Sequence, residues 1–281
     1  MSVSEHDHGS TAGYPAQVAK RRLGPVSVWA AYEAGHQAIR TWLAELPDAA
    51  WSAPSVLPEW TVADLAAHVG TVADSVAAIE TAPRGTAAAT VGAYLASDES
   101  VAAEIAETAR GSAATSHHDP APIMSRLDVS WAAASAAMER IGLVDDVVTT
   151  RRVPVRLTDF LLTRVIEVAV RADDLARSVP DALPLTVPRD VGRLATRALL
   201  DVLAERCPGR SVEVRVPPYA AVQCVAGPRH TRGTPPNVVE TAPPVWLRLA
   251  AGRTTWADEV AAGTVTASGE RADLAHLLPL L

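Results

Sequence analysis

"RVIEVAVRADDLARSV", residues 164–179, decides how the first two-thirds of this 281-residue chain is read. At about 100° per residue it is a helix that is apolar on most sides. Three charged residues interrupt it in line. Glu167, Arg171 and Asp174 are four and three residues apart and so share one stripe. A second polar stripe, Asp159, Asp173 and Arg177, lies roughly 100° round the helix. A helix this apolar belongs among other helices, so one stripe is expected to face solvent and the other to point inward.

Its neighbours in sequence read the same way. Residues 25–46 open with Pro25, suited to a first helical turn, and stop before Pro47. "LPEWTVADLAAHVGTVADSVAAIE" (57–80) starts with Thr61 and Asp64 at capping-box spacing. It continues as an apolar stripe through Leu65, Val69, Val72 and Val76. His68 lies on or beside that stripe. Further helical patterns cover about 90–110, 121–141 and 156–179, separated by the loops "PRGTAAAT" and "GSAATSHHDPAP". Several helices with short connections predict an antiparallel bundle over residues 23–180. Trp29, Trp42, Trp51, Trp60 and Trp131 are expected in its core or at its helix starts. His117 and His118 fall in a loop.

The pattern changes at "SVPDALPLTVP" (178–188), where three prolines mark a linker. A helix over about 188–206 follows, then β-like runs "SVEVRV", "AAVQCVAG" and "NVVETA". "PPVWLRLAAGR", "TTWADEVAAG" and "RADLAHLL" read as short helices, with "TVTASG" as a strand before the last. Residues 181–281 are therefore expected to form an α+β unit. Residues 1–22 are polar, rich in small residues and without an apolar core, so they are read as a mobile tail and not a secretory signal.

Bulk properties exclude several classes. The net charge of −7 argues against a general nucleic-acid binder. No apolar run approaches the roughly 20 residues that span a bilayer. The two cysteines, Cys207 and Cys224, have no metal spacing, which fits a reduced, cytoplasmic protein. No phosphate loop, nucleophile elbow or HExxH motif is present.

The pair "WTVADLAAHVG" (60–70) and "TRVIEVAVRADDLARSV" (163–179) resembles the mycothiol-dependent maleylpyruvate isomerase family, whose N-terminal domain is a DinB-like helix bundle that binds a divalent metal, typically zinc. The segment "WLRLAAGRTTWADEVAAGTVTASGERADLAHLLPL" (246–280) is similar to bacterial sterol-carrier-like domains. The resemblance implies a metal held by a histidine on the second helix and by a glutamate and a histidine four apart on a later one. His68 and Glu167 match the first two positions. The third is Arg171, which has no lone pair to give a metal. It also implies a C-terminal arginine near the site, and Arg253 in "AAGR" is the match for a catalytic role.

Three readings of the stripe follow. Asp174 completes a His68, Glu167, Asp174 metal set, although it lies about 10 Å along the axis from Glu167. Alternatively, Arg171 replaces the charge of the metal, held between Glu167 and Asp174. The third reading is a plain wet face. The resemblance accordingly implies thiol-dependent transfer or isomerisation with zinc and mycothiol. The alternative is a non-catalytic protein that holds an apolar ligand in its sterol-carrier-like half.

Overall fold

The computed structural model describes residues 23–97, 110–111, 119–227 and 237–281. The expected tail, His117 and His118, and the later part of the pattern at about 90–110 lie outside the described residues.

Helices α1 (Pro25–Ala44), α2 (Asp48–Trp51), α3 (Val62–Ala77), α4 (Val91–Leu95), α5 (Pro120–Ile141) and α6 (Leu157–Ser178) make up the first part. α3 packs along α5, and α6 is covered by α1 and α3. The start of α3 is the expected capping box. Thr61 Oγ1 accepts from the Asp64 N–H at 3.2 Å, and Asp64 Oδ2 accepts from the Thr61 N–H at 2.7 Å. This fixes the phase of α3 and turns His68 inward, where it is 7% exposed.

The sequence reading did not foresee a small antiparallel sheet of β1 (Glu80–Thr81), β2 (Val147–Thr149) and β3 (Val155–Arg156), in that order. Strands of two or three residues are too short to show the alternation by which strands are recognised. The sheet buries Val148 and Val155 and sets the entry into α6.

The proline-rich linker does not separate two bodies. The Leu183 carbonyl accepts the Trp42 indole N–H at 2.6 Å. After it, α7 (Arg189–Arg206) packs on α6 and α1. These helices meet closely at Gly35, where a Cβ would lie 2.5 Å from Val168 Cγ1 and 3.1 Å from Val191 Cγ2.

α7 in turn supports a four-stranded sheet of order β5-β4-β6-β7. Its strands are β4 (Val212–Val216), β5 (Ala220–Cys224), β6 (Val238–Thr241) and β7 (Val265–Ser268). β4 and β6 are parallel and the other pairs antiparallel. α8 (Pro243–Ala250) and α9 (Trp256–Ala261) complete this α+β part. The helix expected in "RADLAHLL" is only a 3₁₀ turn, Ala275–Leu277. Asp273 caps the Ala275 N–H at 2.9 Å, and Pro279 leaves no room to continue.

The architecture is thus a helix bundle followed by an α+β unit, as the resemblance implies. No helix of the described residues is long and apolar enough to cross a membrane.

Candidate functional site

The inward stripe of α6 faces His68 of α3 on one side and the end of α8 on the other. His68 Nε2 lies 3.6 Å from Glu167 Oε2, just beyond hydrogen-bond range. Arg171 sits one turn on, with Nη2 3.5 Å from Glu167 Oε2 and Nη1 2.9 Å from Asp174 Oδ2. Asp174 is fully buried. It is also gripped from the C-terminal part by Arg253, whose Nε donates to Oδ1 at 3.0 Å and Nη2 to Oδ2 at 3.2 Å.

The turn after α8 is built to deliver Arg253. Gly252 takes φ +65°, its N–H donates to the Leu249 carbonyl, and the Arg253 N–H donates to the Arg248 carbonyl at 2.8 Å. This is a Schellman closure with glycine at the left-handed position.

The second stripe of α6 is not a plain solvent face, contrary to expectation. Arg248 holds Asp173 by both Nε and Nη2, the shortest contact being 2.6 Å, and Arg177 lies 3.7 Å from the same carboxylate. A helix that carries charge on two sides has found a partner for each.

Two cavities with shared lining residues open beside this cluster. The inner one, about 250 Å³, is lined by Trp60, His68, Thr71 and Arg164 among others. The outer one, about 590 Å³, is lined by Leu95, Arg206 and Pro279 among others. Arg152, Glu167, Arg171 and Arg253 line both and form the partition between them.

Burial pushes the His68 imidazole below its ordinary value, and the nearby Arg171 guanidinium adds to this against the pull of Glu167. His68 is therefore neutral near pH 7. Burial alone would raise the Glu167 carboxyl, but His68, Arg171 and Arg164 outweigh it and hold it below the usual carboxylate range. The pair is thus a neutral imidazole beside a carboxylate, with His68 Nε2 lacking a hydrogen-bond partner.

A family model described as the mycothiol maleylpyruvate isomerase N-terminal domain matches residues 32–176. The chain belongs to this family. A second model, described as a bacterial SCP ortholog, matches residues 188–280.

The fold is also that of solved structures. The chain aligns with a crystal structure of the mycothiol-dependent maleylpyruvate isomerase at 17% identity and TM-score 0.57, covering 89% of this chain and 95% of that one. A histidine-to-alanine mutant of a mycothiol-dependent maleylpyruvate isomerase aligns at 16% identity and TM-score 0.56, with the same coverage. No curated protein sequence matches the chain significantly.

Within this family frame the donor set does not fit a divalent ion. His68 and Glu167 come together, but the third position carries the guanidinium of Arg171. Asp174, the expected stand-in, has both oxygens committed to Arg171 and Arg253. Among the described residues no group of three His, Cys, Asp or Glu side chains gathers closely enough to hold a metal.

The sequence reading missed Arg152 and Arg164. Arg164 carried a signal, since it lies three residues before Glu167 on the same face of an otherwise apolar helix. Arg152 sits in the turn before β3 and carried none.

Proposed function

We propose that the protein binds a small anionic molecule in the arginine-lined cavities and acts on it with a low-molecular-weight thiol, by isomerisation or thiol transfer. The family relationship makes mycothiol the first thiol to test. The guanidinium groups of Arg171 and Arg253 take the place of a zinc ion. The observation that carries this reading is Arg171 itself, locked between Glu167 and Asp174 where a metal ligand would stand.

Its chemistry is electrostatic. A thiol is reactive as its thiolate, and a fixed cation lowers the thiol pKa. His68, neutral and beside the Glu167 carboxylate, is the side chain that would accept the thiol proton, and Glu167 would stabilise the imidazolium formed. The sulfur anion then lies beside Arg171 and Arg253, which also attract an anionic substrate. Such fixed, partly desolvated donors act without reorganising during the reaction.

The test is turnover of maleylpyruvate with mycothiol by the full chain after treatment with a chelator. Activity should survive chelation and fall about 100-fold in Arg253→Ala, the loss typical of one transition-state donor. Activity that appears only on adding zinc, and disappears in His68→Ala or Asp174→Asn, would restore the metal set of His68, Glu167 and Asp174. No turnover with any thiol would end the catalytic reading.

One observation favours a second reading, an apolar ligand held by the C-terminal half. A crevice of about 330 Å³ lies between α6, α7 and α8, lined by Ala172, Leu185, Val187, Tyr219 and Leu247 among others. Saturable binding of an apolar fluorescent probe, blocked by Leu247→Glu, would support it.

A further inference from the structure

Among the described residues, Arg164 is a buried cation with no anion within ion-pairing distance. It is 5% exposed. Its Nε donates to Thr163 Oγ1 at 3.1 Å and its Nη1 to Ser75 Oγ at 3.0 Å. Both acceptors are neutral, and both hydroxyl protons are used elsewhere. Thr163 donates to the Phe160 carbonyl and Ser75 to the Val72 carbonyl, each at 2.6 Å. The Phe160 ring, with its centroid 5.0 Å from the guanidinium carbon, lies against the other side. These contacts orient the guanidinium without neutralising it. No carboxylate of the described residues is within ion-pairing distance.

Burying an ion away from water is costly unless a counter-charge accompanies it. The nearest candidate on α6, Glu167, is shared between His68 and Arg171. The wall of the inner cavity carries four guanidinium groups, Arg152, Arg164, Arg171 and Arg253, against the one carboxylate of Glu167. Asp174 behind them supplies a second. Among the described residues two positive charges are left unmatched around about 250 Å³. At about 30 Å³ per water this is the space of about eight waters, enough for a small organic acid and far more than a single ion needs.

We infer that Arg164 is a binding subsite for a carboxylate group of the ligand, separate from the Arg171–Arg253 pair. Nη2, the guanidinium nitrogen without a hydrogen bond, presents the remaining donors, and Ser75 and Thr163 hold the fork in place. The ligand therefore spans the inner cavity, with one acidic end at Arg164 and the reacting part beside His68 and Arg171. Trp60, whose ring meets His68 edge-on at 5.7 Å, supplies an apolar wall for the body of the molecule. This assignment rests on the proposed function only for the presence of a small anionic ligand, not for any turnover.

The test is calorimetric titration of the full-length chain with maleate and, separately, inorganic phosphate, in wild type, Arg164→Gln and the surface control Arg193→Gln. Maleate should bind the wild type and the control equally and Arg164→Gln about 10- to 100-fold more weakly, the worth of a charge-assisted hydrogen bond. Arg164→Lys covers the case in which the neutral variant does not fold. It keeps the charge, loses the fork, and should weaken maleate about tenfold. Unchanged affinity in whichever of these variants folds overturns the subsite, as does phosphate binding as tight as maleate. Maleate binding that depends on Arg164 without turnover leaves the subsite standing and removes only the catalytic reading.

Discussion

Arg253 and Asp174 are joined by two parallel hydrogen bonds across 79 residues of sequence. Arg253 stands in the turn after α8 and Asp174 in the last part of α6. Because Arg171 uses the same carboxylate, a fully buried anion is shared by two guanidinium groups. Breaking a buried ion pair from one side leaves the other charge uncompensated, which costs about 3–5 kcal/mol. Asp174→Ala should therefore lower unfolding stability by about that amount in denaturant titrations. Arg253→Ala should cost less, since Arg171 remains. Equal stability of Asp174→Ala and wild type would mean the network contributes nothing.

Arg171→His tests the position from the other direction. It places a third donor beside His68 and Glu167, and three protein ligands with an open position are what a catalytic zinc site needs. Zinc affinity, read by competition with a chromophoric chelator, should rise roughly 100-fold or more over wild type. No gain would mean that the stripe does not aim residue 171 at His68.

His36 makes stability depend on pH. Burial pushes its imidazole down to about 4, and its ring stacks on Trp131 with centroids 4.2 Å apart. The unfolded chain takes up the proton near pH 6.5, so between there and about 4 the unfolded state holds more protons. Stability is complete above that window and is lost as pH falls through it, by about 3 kcal/mol in all. The lowered Glu167 carboxyl works in the same sense at still lower pH. Urea midpoints at pH 7.5, 6 and 5 should fall in that order, and His36→Phe should flatten the slope. A midpoint independent of pH over this range would show that His36 is accessible to protons in the native state.

Gly35→Ala tests the close approach of α1, α6 and α7. The added methyl would meet Val168 Cγ1 at 2.5 Å, and Val168 is buried and branched, with little room to turn. Overpacking of this kind costs about 1–3 kcal/mol. A melting temperature equal to wild type would mean the helices separate there at no cost.

Much of this was legible in the sequence because it obeys local rules. The Thr61–Asp64 box fixed the phase of α3, and four- and three-residue spacing placed Glu167, Arg171 and Asp174 on one stripe. Arg253 was legible only through family resemblance, since its partner is 79 residues away. The chamber was not legible. The Arg164–Ser75 contact spans 89 residues, and Arg152 reaches the cavity from a turn without periodicity. The second stripe was misread for a related reason. A charged face paired with Arg248 of a distant element has the same sequence pattern as a face paired with water.

Asp173 and Asp174 are adjacent, so they point to different sides of α6, and each is held by an arginine from beyond the proline linker. By composition that linker is the natural point at which to cut this gene or splice it to another. By chemistry it is a poor one. A fragment ending there would keep Arg171 beside Asp174 and Arg177 beside Asp173 but lose the bidentate arginine on each, and its α6 surface would be stripped of α7. Exchanging either segment for that of a distant relative should therefore succeed only if Asp173, Asp174, Arg248 and Arg253 are kept together.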